Sequence, residues 1–446
     1  MSSEPSPGIE ALRRAEGLLD NRDLEGALES VNQALRSDEQ LGEAWVLAGL
    51  VNRRLGRFSE ALRCLTAAKN ILPGDGEVLL NIGLTHERTG DLAAATEAFD
   101  DAVRALESLC DLKPKDECLL NDLGVALRRL DSVRKRAGIV TATDTDVLSR
   151  AKECFQKACE LNTRYAEAWN NFGLVTLELT RSYAEPWTES SVSEAVAHFK
   201  KAISCDSSLK EPWNNLGEVY EKLGELGEAE HYLRWAVWMD PKDECAWNNL
   251  GLLYKRMDQR EKARGCFIAA TNLNQEYAEA LDNLGSMFFE DGHLQQAREM
   301  LTRAIKADRT LAEAWTSLGA VYGKLGDLDQ ATACLQNALK LTNDRDPSAW
   351  NDLGITLLRQ NRHNEALSCF SKALAIDESD AELWNNIGEV YMVVGLFDKA
   401  ADHFDKACLL KGKNPIYWRN AAKAAEAQGH TDQARMHLDH ARSLEG

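Results

Sequence analysis

Long apolar runs are missing from this 446-residue sequence, and nowhere do eighteen apolar residues follow one another, which excludes a membrane-spanning helix. The start, Met1 to Gly8, has no charged segment leading into an apolar one, so no secretory leader is expected. Positive charge is in short supply: 52 lysines and arginines stand against 71 aspartates and glutamates, a net charge of -19. Such a balance disfavours the phosphate backbone of a nucleic acid as the main partner and favours a basic ligand surface. Catalytic signatures are absent too, with no glycine-rich phosphate loop, no His-Glu-x-x-His and no Cys-x-x-Cys. The nine histidines are scattered, and His198, His231, His403 and His437 fall where a structural, partly exposed residue is ordinary. The reading is a non-enzymatic chain with no cofactor, no metal site and no membrane insertion. Eleven cysteines could suggest bridges, but Cys64, Cys154, Cys266, Cys334 and Cys369 recur at one register, as small buried thiols would. A reducing cytoplasmic setting, or a nuclear one, follows.

What is present is a repeat. Trp-Asn-Asn-Leu-Gly stands at Trp213 to Gly217 and again at Trp247 to Gly251, with Phe or Ile in the fourth place at Trp169 to Gly173 and Trp384 to Gly388. The glycine marks a register held by Gly49, Gly83, Gly124, Gly173, Gly217, Gly251, Gly285, Gly319, Gly354 and Gly388, with Ala15 and Ala422 in its place at the two ends. Seven of the eleven steps between these markers are 34 residues. Twelve residues after the marker comes an alanine, as at Ala61, Ala229 and Ala366, and seven after it a turn residue. Gly56, Gly90, Gly224, Gly292, Gly326, Gly395 and Gly429 take that turn, with Asp258 and Asn361 as substitutes. A helix, a left-handed turn residue and a second helix account for the pattern.

These residues resemble the tetratricopeptide family, whose pattern has Trp at position 4, Leu-Gly at 7 and 8, Tyr at 11, Ala at 20, Phe at 24, Ala at 27 and Pro at 32. Tyr220, Tyr254, Tyr322 and Tyr391 match position 11, and Phe99, Phe155, Phe199, Phe267, Phe370 and Phe404 match position 24. The resemblance covers residues 8–446 and implies an all-α fold, a right-handed superhelical solenoid of about twelve helix-turn-helix repeats behind a disordered tail at 1–7. Eight tryptophans occupy position 4 (Trp45, Trp169, Trp213, Trp247, Trp315, Trp350, Trp384, Trp418); that position shares a helical stripe with 7, 8 and 11, so they read as core.

Three steps exceed the period. The step from Gly83 to Gly124 exceeds the 34-residue period by seven residues, about two turns, and predicts a lengthened second helix over 105–112. The next two carry insertions of fifteen and ten residues near 131–149 and 181–193, placed between the two helices of their repeats. Intra-repeat turns line one edge of a solenoid, so the insertions emerge side by side, either as tolerated surface loops or as a partner-specific knob. Trp187, an off-pattern aromatic beside Pro186, favours the knob and marks a possible edge-loop site.

In the family the first helices line a concave groove, and positions 2, 6, 9 and 13 form one stripe by spacing. Position 6 carries Asn81, Asn171, Asn215, Asn249, Asn283, Asn386 and Asn420, with Asp122, Ser317 and Asp352 as polar exceptions. Position 2 carries glutamates, among them Glu167, Glu211 and Glu279, and position 13 carries cations, among them Arg88, Lys222 and Arg256. Asparagine costs on the order of 0.5 kcal/mol against alanine in a helix interior, so the row asks for an explanation. One is that the carboxamides pair with the backbone of an extended peptide. Here the resemblance sharpens to the asparagine-ladder type, such as the superhelical repeat portion of O-linked N-acetylglucosamine transferase, whose catalytic half has no counterpart in this chain. The alternatives are that neighbouring asparagines bond each other, or that duplication copied them. Repeats that grip a C-terminal carboxylate carry cations at positions 2, 5 and 6; here position 2 is mostly Glu and position 5 mostly Asn, against that use.

The expected function is a scaffold or adaptor that takes an extended protein segment in its groove. Two other readings stay open: an assembly subunit of a multiprotein complex contacting partners through edge loops, and an RNA-binding helical-repeat protein, which the charge opposes.

Overall fold

The structure, a computed structural model, describes residues 7–20, 23–139, 144–182 and 189–445. Among the described residues there are twenty-four helices and no strand. Contacts divide them into two units, 1–239 and 240–446. The first holds α1 (Pro7–Asp20), α2 (Leu24–Ser37), α3 (Gly42–Arg54), α4 (Phe58–Ile71), α5 (Gly76–Thr89), α6 (Leu92–Leu112), α7 (Glu117–Arg136), α8 (Asp144–Leu161), α9 (Ala166–Ser182), α10 (Glu189–Cys205), α11 (Glu211–Leu223) and α12 (Leu226–Met239). The second holds α13 (Glu244–Arg256), α14 (Arg260–Leu273), α15 (Ala278–Glu290), α16 (Leu294–Ala307), α17 (Ala312–Leu325), α18 (Leu328–Leu341), α19 (Pro347–Arg359), α20 (His363–Ile376), α21 (Ala381–Val393), α22 (Phe397–Leu410), α23 (Pro415–Ala427) and α24 (Thr431–Ser443). In each unit odd-numbered helices pack on the even-numbered helix that follows, and odd helices of adjacent repeats also touch.

Helix ends explain part of the acid excess. Asp75, Asp91, Asp116, Asp243, Asp327, Asp346 and Asp380 each accept a backbone N–H from the first turn of the helix they precede. Between paired helices the chain turns through positive φ at each predicted turn residue, from 73° at Gly56 to 89° at Gly326, with Asp258 at 57° and Asn361 at 61°.

The marker glycine is where the two helices of a pair meet. A Cβ on Gly217 would stand 2.4 Å from Leu233 Cγ, and one on Gly251 2.7 Å from Phe267 Cε1. Leu233 and Phe267 are fully buried, as are the repeated alanines at 61, 95, 229, 263, 297, 331, 366 and 400. Each glycine is therefore a packing requirement set by the large side chain across from it.

The position-4 tryptophans do more than fill space. In all eight, the indole Nε1–H donates to the carbonyl six residues earlier, from Glu39 O at 2.9 Å for Trp45 to Gly412 O at 2.7 Å for Trp418. The indole thus ties the first turn of these eight odd helices to the turn that leads into it. Most are half-buried rather than sealed in the core; Trp350 is the buried one.

The stretch 131–149 differs from a surface loop. Helix α7 runs on through Arg136 and α8 begins at Asp144, so most of the insertion lengthens two packed helices, with 140–143 outside the described residues. Val133 and Leu148 are fully buried and Val147 nearly so, all in the core that surrounds Phe155. Apolar residues spaced along a Thr/Asp-rich run give it a face to bury. Within 181–193, Val192 is buried at the start of α10, while Trp187 lies outside the described residues. Helix α6 is 21 residues long against 14 for α4, and its Leu106 is buried whereas Leu112, at its end, is exposed.

Candidate peptide-binding face

Asparagines of adjacent repeats are joined in pairs. The position-6 amide donates to the position-5 amide of the preceding repeat: Asn171 Nδ2 to Asn121 Oδ1 at 3.0 Å, and Asn215 Nδ2 to Asn170 Oδ1 at 2.8 Å, in the first unit. In the second unit Asn283 donates to Asn248 at 3.0 Å, Asn386 to Asn351 at 2.8 Å and Asn420 to Asn385 at 2.8 Å. The acceptors Asn121, Asn170, Asn248 and Asn385 are buried. Of the readings left open by the sequence, mutual bonding is therefore present.

It uses only part of each amide. The Oδ1 atoms of Asn171, Asn215, Asn283 and Asn386 accept no hydrogen bond among the described residues. One N–H holds each carboxamide in a fixed rotamer while its oxygen and second N–H stay uncommitted. Asn81 stands apart, donating to Glu77 O of its own helix at 2.9 Å, because Val46 occupies position 5 of the repeat before it. Asn420 is engaged on both sides, bonding Glu389 as well as Asn385 and accepting from Lys423 at 3.2 Å. Asn249, on α13, is half-buried.

Asp122 and Asp352 interrupt the position-6 row, and Asp282 interrupts the position-5 row beside it. Burial first, then the Glu77 charge, raises the Asp122 carboxyl to about 6. Burial and Glu382 do the same to Asp352, also to about 6, and burial and Glu313 to Asp282, again to about 6. Each interacting glutamate holds position 2 of an adjacent repeat, and the position-2 row, Glu167, Glu211 and Glu279 included, is exposed. At the other margin Arg88, Lys222 and Arg256 are exposed as well.

The remaining candidates resolve as structure. All eleven cysteines are free, and burial raises the thiols of Cys154, Cys266, Cys334 and Cys369 to about 11, which keeps them protonated near neutral pH. Histidines fill the same register elsewhere: His198, His403 and His437 lie 5.4 Å from Trp169, Trp384 and Trp418 of their own repeats. His198 also stacks on Phe172 at 4.0 Å, and burial lowers its pKa despite Glu194 at 3.6 Å. His231 instead packs edge-on to Tyr232. Among the described residues no group of three or more His, Cys, Asp or Glu could hold a metal ion, and no helix is long and apolar enough to cross a membrane.

Stacked helix pairs with a marker glycine, a left-handed turn and a tryptophan-anchored first turn define a helical-repeat protein whose odd helices present one face in each unit. The chain belongs to the tetratricopeptide repeat family: models of that repeat match residues 12–75, 54–109, 310–379 and 351–415. The model of the cilia and flagella-associated protein 70 middle TPR-like domain matches residues 213–342. A probable UDP-N-acetylglucosamine--peptide N-acetylglucosaminyltransferase SPINDLY from Hordeum vulgare is 27% identical over 175 residues, 39% of this chain and 17% of that protein, so the chain spans less than a fifth of that relative. Among solved structures, yeast Tom70 is similar with 16% identity and a TM-score of 0.44, over 86% of this chain and 95% of that one. The APC/C hetero-tetramer Cut9-Hcn1 is similar with 15% identity and a TM-score of 0.48, over 99% and 94%.

Proposed function

We propose that the chain is a non-catalytic interaction scaffold whose odd helices take an extended segment of a partner protein, held through its backbone by the position-6 asparagines. The observation that carries this reading is the uncommitted oxygen on Asn171 and Asn215 in the first unit and on Asn283 and Asn386 in the second. An N–H bond to the preceding repeat costs each amide its rotational freedom before any ligand arrives, so less entropy is lost on binding. A carboxamide oxygen accepts a peptide N–H whatever side chain that peptide residue carries, so the row suits a ligand recognised by its extended backbone. The flanking rows, with Glu167, Glu211 and Glu279 on one side and Arg88, Lys222 and Arg256 on the other, would set direction and sequence preference. A cytoplasmic or nuclear setting and membership of a larger complex fit this role, and no cofactor enters it.

Side-chain amide resonances test the reading. On titration with a partner segment, the Nδ2 signals of Asn171 and Asn215 in the first unit are expected to shift together, and likewise those of Asn283 and Asn386 in the second, each unit being followed by itself. A ligand that binds while all four stay in place removes the asparagines from the site.

A further inference from the structure

Five arginines from three successive odd helices converge in the first unit. Arg53 and Arg54 end α3, Arg88 lies in the last turn of α5, and Arg128 and Arg129 lie on α7 at the same register, positions 12 and 13 of their repeats. These helices touch in order, α3 on α5 and α5 on α7. Two acids answer the five cations. Glu87 is shared, with Arg129 Nη1 at 3.7 Å and Arg136 Nη1 at 3.2 Å, and Glu178 pairs with Arg128 at 3.0 Å. Arg53, Arg54 and Arg88 have no ion pair or hydrogen bond from their side chains among the described residues.

Cations near helix C-termini ordinarily offset the helix dipole, which accounts for Arg54 and Arg88. It does not account for Arg128 and Arg129, because α7 continues to Arg136 and both sit inside it. Nor are they comfortable there: the Nε–H groups of both are buried without an acceptor. Burial and the neighbouring arginines 54, 129 and 88 lower the Arg53 pKa, and burial with Arg128 lowers that of Arg129, so the three helices bring like charges into mutual range. A cluster compensated only in part, in a chain of net charge -19, costs stability until further anions reach it. The sequence balance alone points to a basic ligand; this corner of the first unit points the other way.

We propose that Arg53, Arg54, Arg88 and Arg129 anchor the carboxylates of an acidic, extended segment of a partner protein at the N-terminal end of the asparagine row. Guanidinium groups match carboxylates with paired N–H donors, and four of them from three helices would space several acidic side chains along an extended strand. A nucleic acid fits less well, since exposed Glu77 and Glu167 flank the path a continuous phosphate backbone would follow. The proposal rests on the reading that this face takes an extended protein segment, and it adds the chemistry of the segment's end.

The full chain is tested with a fluorescent oligo-aspartate peptide and its oligo-asparagine twin, against the double variant Arg54→Gln, Arg88→Gln. Both arginines are exposed and have no side-chain partner among the described residues, so the fold should survive, which circular dichroism verifies. The aspartate peptide should bind the parent in a salt-sensitive way and lose roughly tenfold or more on the variant, while the asparagine peptide responds to neither salt nor substitution. An aspartate peptide that does not bind, or that binds parent and variant alike, overturns the anchor. So does an oligothymidylate that binds the parent more tightly than the peptide and is lost on the variant. An ester-backbone version of the aspartate peptide separates the two readings: if it keeps the arginine dependence and its full affinity, the anchor stands and backbone recognition by asparagine fails.

Discussion

Asn215 Nδ2 donates to Asn170 Oδ1 at 2.8 Å across the junction of two repeats, and the acceptor is buried. Truncating the donor leaves that oxygen without a partner. Asn215→Ala should therefore cost about 1–3 kcal/mol in urea unfolding, although alanine is the better helix former by a few tenths. A variant as stable as the parent would mean that the pair contributes nothing to the junction.

Gly251 faces Phe267 so closely that a Cβ would stand 2.7 Å from the ring. Gly251→Leu should destabilise the second unit by at least about 1–3 kcal/mol, since the side chain would be driven into a fully buried ring. The urea midpoint reads this directly.

Leu148 sits in the inserted stretch and is fully buried. Leu148→Ala is expected to cost about 2–5 kcal/mol, and deletion of 131–149 to destabilise the first unit rather than trim a loop. Unchanged thermal unfolding of either variant would return the stretch to the surface.

Asp352 is raised from 3.8 to about 6 by burial and by Glu382. An acid with a raised folded pKa binds its proton more tightly folded than unfolded, so its ionisation removes stability as pH rises from about 4 to about 6, and the loss persists above. Asp352→Asn should remove that decline, matching the parent near the acid end of the window and exceeding it at neutral pH. Parallel denaturation curves for the two proteins across the window would contradict the assignment.

Much of this was legible in the sequence, and for a reason: marker glycines, left-handed turn residues and position-20 alanines are each demanded by local geometry, which a 34-residue period displays many times. The tryptophans were legible as packing but not as hydrogen-bond donors, because their acceptors are backbone carbonyls and carry no residue signature. Both asparagine rows were visible, yet which amide donates to which depends on how successive odd helices stack. The arginine cluster was hidden for the same cause, its members being far apart in sequence and brought together only by that stacking. The helical continuation into 131–149 was hidden because Val133, Val147 and Leu148 are set apart by a Thr/Asp-rich run.

The central claim is that the position-6 oxygens hold a peptide by its backbone, and it is tested most directly on the ligand rather than on the protein. A partner segment mapped by cross-linking is synthesised twice, once as the natural amide and once with alternate backbone amides replaced by esters, so that side chains are kept and N–H donors are lost. Calorimetry with the full chain should show the ester form weaker, by about 0.5–1.5 kcal/mol for each bond removed and roughly tenfold or more in total. Equal affinity of the two forms would contradict the account, because a ligand that can dispense with its backbone N–H groups is not being held by Asn171, Asn215, Asn283 and Asn386.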